Sequence, residues 1–331
     1  MKIRIYIVAL FWMAVSGQSL VAQLRLLPVL GAQRAGTTSL EFLKIGVGAR
    51  AAGMGESFAA VANDASALYW NPAGLAQFKG NEVYVAHTNW AVDIKHDFLG
   101  VAYHVSPEDA VGLSVTSLQT DDMPVTTELQ PFGTGSYFRY GDVAVGLTYS
   151  RRMTDQFSFG GTIRYVHETL DVLSMSGVVL DLGTYYWTGL GSSRFSAVVT
   201  SFGSQMSPKG TATAIDGSKI TQFQSFAPPT VFKFGFAFEP YADDDNSVTT
   251  ALQLNHPNDN SENLSIGMEY QLMKTFFLRG GYKLNVDEES YSFGAGVATT
   301  ITSVRVNFDY GYSAFGRLGG LHRLSLLLGL E

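Results

Sequence analysis

From residue 81 to the end of the chain, apolar and polar positions alternate with a period of two. Val111, Leu113 and Val115 alternate with Gly112, Ser114 and Thr116. Leu264, Ile266, Met268, Tyr270 and Leu272 alternate with Ser265, Gly267, Glu269 and Gln271. Val304, Val306, Phe308, Tyr310 and Tyr312 alternate with Arg305, Asn307, Asp309 and Gly311. This period predicts strands with one apolar face and one small or polar face. Such segments fall near 81–90, 96–106, 110–119, 137–150, 156–168, 175–187, 193–202, 229–239, 247–255, 263–272, 275–285, 290–299, 303–312 and 321–330. Each approaches the roughly 9–11 residues that a tilted membrane-crossing strand needs. An even count of about fourteen suits a bacterial up-and-down barrel.

The connections point the same way. Counted from the first strand, the even-numbered ones are mostly short, as at 106–109, 151–156, 272–275 and 299–303, with the eighth, 240–246, the least regular. Several odd ones are longer, above all 120–136 and 203–228. Short periplasmic turns and longer outer loops are the outer-membrane pattern, which places both barrel ends in the periplasm. The competing reading is a secreted soluble sandwich, which also alternates but carries more charge on its outer face. Here Lys and Arg rarely fall on the apolar face of a strand. Trp90, Tyr137, Tyr149, Trp187, Tyr270, Tyr291 and Tyr312 lie near strand ends and suit interfacial girdles.

Upstream of residue 81 the alternation is missing. Lys2 and Arg4 precede the apolar run 5–15, and Ala22-Gln23 offers a cleavage point. That is a secretory signal peptide over 1–22, too short to span as a helix. The expected organisation is signal 1–22, an N-terminal segment and hatch 23–80, and a transmembrane barrel 81–331. Within the hatch, Thr37-Thr38-Ser39 can cap a short helix with Glu41 in its first turn, and Asp64 can cap a second that Pro72 ends. Gly46, Gly48, Gly53 and Gly55 argue for close backbone packing against a barrel wall.

Composition then sharpens the class. Charged residues are 15%, against about 25% in a soluble domain. The 22 basic and 29 acidic side chains leave a net charge of -7, which opposes nucleic-acid binding. With no Cys, disulfides, Cys-ligated zinc and thiol catalysis are excluded. His87, His96, His104, His167, His256 and His322 form no metal-binding spacing. No nucleophile elbow or phosphate loop exists, and Gly46 to Gly55 fails dinucleotide-loop spacing. The acidic runs 121–122, 243–245 and 287–289 lack a calcium-loop pattern and read as solvated turns. These features argue against an enzyme, and no cofactor is expected.

Two N-terminal elements carry a resemblance. Gly48-Ala49-Arg50-Ala51-Ala52-Gly53-Met54-Gly55-Glu56 and the stretch 62–75, with Asp64 and Trp70-Asn71-Pro72-Ala73-Gly74, resemble the PorV/PorQ family of bacterial outer-membrane proteins. The stretch 308–325 is similar to the family's last hairpin. That family in turn resembles FadL-type fatty acid channels, whose hatch carries an Asn-Pro-Ala element, here Asn71-Pro72-Ala73. The resemblance implies a bacterial outer-membrane location and a structural or gating role for the hatch motif. It also implies service to type IX secretion, with secreted cargo or secretion-system proteins as partners beside outer-membrane lipid. The chain ends Gly329-Leu330-Glu331, without the terminal aromatic common in barrel-insertion signals. The alternative is a FadL-like channel for a hydrophobic ligand. Phe232, Phe234, Phe236 and Phe238 motivate it, but they alternate with Lys233 and Gly235, which turns the Phe face to lipid.

Overall fold

The computed structural model describes residues 36–214 and 216–330. The signal segment 1–22 lies outside the described residues. Fourteen antiparallel strands close into one barrel. They are β1 (Asn81–Asn89), β2 (Lys95–His104), β3 (Asp109–Gln119), β4 (Tyr140–Arg152), β5 (Phe157–Leu170), β6 (Leu173–Trp187) and β7 (Arg194–Gly203). The second half is β8 (Val231–Ala242), β9 (Ser247–Pro257), β10 (Asn263–Leu272), β11 (Phe276–Leu284), β12 (Glu289–Ile301), β13 (Val304–Phe315) and β14 (Gly320–Leu330). Each strand pairs with its sequence neighbours. β1 closes the ring on β14, from Asn81 opposite Leu330 to Asn89 opposite His322. Closure leaves no unpaired strand edge in lipid, where an unsatisfied backbone group is costly.

Alternation sets the two faces. Val115, Val145, Ile163 and Leu328 point outward and are exposed. Thr116, Thr148, Arg164 and Ser325 point inward and are buried. The outer face is therefore apolar and the lumen wall is small or polar. Phe232 and Phe234 stand on the outer face, 40% and 54% exposed, while Lys233 between them points inward.

The connections depart from strict long-short alternation. The third and seventh, 120–139 and 204–230, are long. The fifth is only 171–172, because β5 and β6 extend to 14 and 15 residues and take up the chain that a loop would have used. The third carries a small ladder, Met123–Pro124 with Tyr137–Phe138. The seventh carries another, Ala212–Thr213 with Lys219–Ile220, and folds back so that Ser174 and Lys209 exchange backbone hydrogen bonds. The end carrying the long third and seventh connections is called the outer end and the end with the short even turns the periplasmic end, after the usual pattern of such barrels.

Residues 36–80 run lengthwise through the lumen. Near the outer end, Ser39 N–H donates to Ala227 O in the seventh connection, 3.1 Å. The chain then passes a 3₁₀ turn (Glu41–Lys44), α1 (Ala49–Gly53) and α2 (Ala67–Trp70). It leaves near the periplasmic end through a second 3₁₀ turn, Pro72–Gln77, and enters β1. The capping differs from expectation. Leu40, left-handed at φ 62, occupies the first N-cap and makes no side-chain cap. Thr38 instead donates to the carboxylates of Glu41 and Asp259. Asp64 does not occupy the second N-cap, which is Ser66, but its Oδ1 accepts from Ser66 N at 2.9 Å. Pro72 opens the next turn as well as ending α2.

The hatch supplies the apolar core that the polar wall lacks. Met54, Phe58, Leu68, Trp70 and Leu75 are buried together with wall residues Tyr84 and Phe98. A second cluster joins Leu40, Phe42 and Leu43 to Val166, Met175 and Met206, the last from the seventh connection. Each such large side chain contributes roughly 1.5–3 kcal/mol on burial.

Candidate functional site

The candidate site is the lumen where hatch and wall meet. Wall glycines set how close they come. A Cβ on Gly281 would lie 2.0 Å from Gly55 N, and one on Gly53 would lie 2.9 Å from Gly294 Cα. Gly48 has φ +86 and a Cβ there would meet the Tyr84 hydroxyl at 1.9 Å. These contacts admit no side chain. The Gly55 N–H donates to Ser292 Oγ at 3.0 Å. Met54 is fully buried, with its carbonyl against Gly267. Gly74 leaves room for the Ala62 carbonyl, 2.4 Å from where its Cβ would be.

Asn71 ties three segments. Its Nδ2 donates to Ala59 O at 2.8 Å and to Thr184 O on β6 at 3.1 Å, and its Oδ1 accepts from Ala73 N at 3.1 Å. Pro72 packs where the wall has Gly160 and Gly183. Ala73 is fully buried beside it. Trp70 Nε1 donates to Val47 O at 2.9 Å, and its ring meets Phe58 and Tyr69 edge-on.

Ion pairs pin the same segment to the wall. Arg50 makes a two-pronged contact with Glu269 on β10, 3.0 and 2.9 Å, and reaches Asp64 at 2.8 Å. Burial opposes its charge, but Glu269 and Asp64 more than offset that and hold the guanidinium above its usual range. Glu269 also accepts from Arg279 at 2.5 Å, and Arg279 reaches Asp309 at 2.6 Å. At the outer end Lys44 pairs with Asp259 at 2.6 Å. Burial alone would lower its affinity for a proton; the hydrogen bonds to Asp259 and Glu41 raise it above the ordinary value. Glu56 pairs with Lys283 on β11 at 2.7 Å, and Lys283 also holds Glu289. Buried Arg323 on β14 faces both carboxylates at 3.8 and 3.9 Å.

The hatch divides the remaining space. An outer cavity of about 370 Å³ lies among Ile45, Trp70, Trp90, Lys233, Asn263 and Phe315. A periplasmic cavity of about 390 Å³ lies among Arg50, Asp64, Arg194, Glu239, Glu269 and Arg305. Both are lined by opposed charges, and the first adds the aromatic walls of Trp70, Trp90 and Phe315 to Glu56, Glu289 and its lysines.

The structure brings together the sequence-singled hatch residues and adds two wall residues that the sequence reading passed over, Lys283 and Arg323, beside Lys233 and Glu289, to which it gave no role in the site. Their signal was available, since each is a charge on the polar face of an alternating strand. Two girdle expectations are corrected. Trp90 turns inward onto Phe315 at 5.1 Å, and Trp187 turns inward with its Nε1 donating to Gln77 at 2.9 Å. In both cases strand parity outweighs position near a strand end. Glu289 is likewise no solvated turn residue, because it starts β12 and points at Lys283. By contrast Asp243 accepts from the backbone of Asp245 and Asn246, as a turn does.

Comparison with known proteins follows this geometry. The family model described as "Type IX secretion system protein PorV" matches residues 29–257. No curated protein matches the chain. Among solved structures, the CymD monoaromatic hydrocarbon channel is 14% identical, with TM-score 0.59, covering 86% of this chain and 96% of its own. The Ralstonia pickettii toluene transporter TbuX is 14% identical, with TM-score 0.56, covering 86% and 99%. A Pseudomonas aeruginosa FadL homologue is 12% identical, with TM-score 0.56, covering 86% and 98%. At these identities the likeness shows a shared fold.

Proposed function

The chain belongs to the PorV family of outer-membrane β-barrels, and from that premise we propose that it assists protein export or surface attachment through protein–protein contacts. One observation carries the reading. The long third connection, outside the membrane, presents Leu129 and Phe132 at 94% and 100% exposure. Two large apolar side chains held clear of both lipid and core on one loop support a contact surface for a partner. The lumen supports a non-porin role, because buried ion pairs and apolar clusters fix the hatch across it. The outward apolar face would meet outer-membrane lipid, after export by a cleaved signal peptide.

Cross-linking in native membranes followed by mass spectrometry tests this. Secreted proteins or components of a secretion system are expected among the products, and their loss when 126–134 is replaced by a Gly-Ser linker. Recovery of neither class would refute the reading.

A second reading has its own observation. The aromatic-walled outer cavity would suit entry of a hydrophobic small molecule, as the solved hydrocarbon channels suggest. Its test is uptake: deletion of the gene would lower accumulation of a hydrophobic solute while leaving secretion intact.

A further inference from the structure

The outward wall carries a notch of its own. On β3, β4 and β5, Gln119, Gly141 and Thr169 stand in one register row, and Ser117, Val143 and His167 in the next. Parity turns all six outward, since Leu118, Asp142, Ala144 and Val166 between them are buried inward. Gly141 contributes no side chain to its row, and a cavity of about 290 Å³ opens there. His167 and Thr169 border it and the inward Glu168 between them does not, which places it on the outside of the barrel. Thr120 and Arg139 of the third connection complete its rim, at the outer end.

Below the notch the same three strands turn apolar at once. Val115, Val145 and Tyr165 form the next row and Leu113, Leu147 and Ile163 the one after, all six exposed. These rows face the hydrocarbon of the membrane, and Tyr165 at their top sits where an amphipathic ring marks the interface. A polar notch directly above an apolar panel fits one amphiphile, with its headgroup in the notch and its chains on the panel.

The rim selects the headgroup. Asp122 takes Nε and Nη2 of Arg139, which leaves Nη1 to donate. Lys95, opposite Gln119 across the β2–β3 pair, is held by Asp121 at 3.1 Å. His167 lies between Ser176 Oγ at 3.3 Å and Thr169 Oγ1 at 3.2 Å. Arg139 and Lys95 thus already hold anions, and the groups beside them are an amide, hydroxyls and an imidazole. Such a lining exchanges hydrogen bonds with sugar hydroxyls, whereas a phosphate would call for an unpaired cation.

We propose that the notch at Gly141 binds the sugar headgroup of an outer-leaflet glycolipid. Arg139, Gln119, Ser117 and His167 bond its hydroxyls, and its acyl chains lie over Val145, Leu147 and Ile163. The site is on the outside of the wall, so it stands independently of the hatch and of the export reading. It requires only that the barrel sit in a membrane with this end outward.

The test uses the full-length protein in micelles of an amine-oxide detergent, which carries no sugar, with native mass spectrometry counting bound lipid. The probes are rough lipopolysaccharide, the same lipid after phosphatase treatment, and phosphatidylethanolamine. The wild-type protein should take up both lipopolysaccharide forms at about tenfold lower concentration than the phospholipid. Gly141→Phe should abolish that preference by filling the notch. Its Cβ would stand 3.7 Å from Leu118 O, an ordinary contact, so the barrel has room for it. Gly280→Phe is the matched control. Gly280 also faces outward with open space around it, but its row neighbours are Met268 and Phe293, and the preference should survive. Arg139→Gln, on an exposed connection, should weaken the preference without touching a strand. A heat-modifiable gel shift establishes that the variants are folded. Equal uptake of lipopolysaccharide and phospholipid, or an unchanged preference in Gly141→Phe, overturns the proposal. A preference that vanishes after phosphatase treatment would assign phosphate recognition and overturn the sugar assignment.

Discussion

Glu56 on the hatch and Lys283 on β11 meet across the lumen at 2.7 Å. Their side chains are only 15% and 9% exposed. The contact joins residues distant in sequence and fixes the hatch at mid-length. Glu56 also sits at φ 59, a conformation that a non-glycine residue adopts only when its surroundings compel it.

Removing that carboxylate's charge should therefore loosen the hatch. Glu56→Gln is expected to cost about 1–3 kcal/mol, because Lys283 keeps Glu289 but loses one of its two anions. A lower transition temperature in the heat-modifiable gel shift, with faster proteolysis within 36–80, would verify it. An unchanged transition would show that the pair is not stabilising.

The same pair sets an acid dependence. Burial pushes the Glu56 carboxyl up, but Lys283 and Arg323 more than offset this and hold it below its ordinary 4.5. A depressed folded value means the stabilisation is fully present above 4.5. It is lost as pH falls from there through the lower folded value. Hydrogen exchange of the hatch amides should thus be flat with pH, once corrected for intrinsic rates, until that acid range, then rise. In Glu56→Gln this contribution to the rise should be absent.

Adjacent glycines on β11 offer an internal control. A Cβ on Gly281 would meet Gly55 N at 2.0 Å and Met54 C at 2.3 Å, whereas one on Gly280 meets nothing within 4 Å. Gly281→Val should cost about 1–3 kcal/mol by overpacking and raise single-channel conductance in planar bilayers as the hatch is displaced. Gly280→Val should leave stability within about 0.5 kcal/mol and conductance as in the wild type.

Asn71→Ala removes three hydrogen bonds at once and leaves the Ala59 and Ala73 backbone groups short of a buried partner. A loss of about 2–4 kcal/mol is expected. Asn71→Asp keeps the acceptor for Ala73 N but not the donors, and should be no better. Thermal unfolding in detergent measures both.

Replacing Leu129 and Phe132 by Ser separates function from folding. Both side chains are free of the fold's own core, so stability should change by less than about 0.5 kcal/mol. Cross-linking to partners should fall sharply. Retained cross-links would place the contact elsewhere.

The fold was largely legible, and residues show why. Val111, Leu113 and Val115 can alternate with Gly112, Ser114 and Thr116 for long stretches only if two faces meet different solvents. Low charge follows, since a Lys or Arg facing mid-membrane lipid costs roughly 2–4 kcal/mol. The same logic turns the Phe face around Phe234 to lipid. Trp90 and Trp187 turn inward because parity along the strand, and not nearness to its end, sets the face a side chain takes. The fifth connection shrank to 171–172 because strand extension and loop length trade off locally, and alternation alone does not say where a strand stops.

By itself, then, the sequence determined the strand count, the face each side chain takes, and an N-terminal block too rich in glycine to form long helices. Periodicity is local, so it survives without knowledge of the partner across the lumen. The tertiary structure alone decided those partners: Glu56 with Lys283, Arg50 with Glu269, Gly53 against Gly294. Only barrel closure brings these residues within reach, because the distances across a lumen depend on the register of every strand around the ring. The same closure set Lys233 over the Trp70 ring.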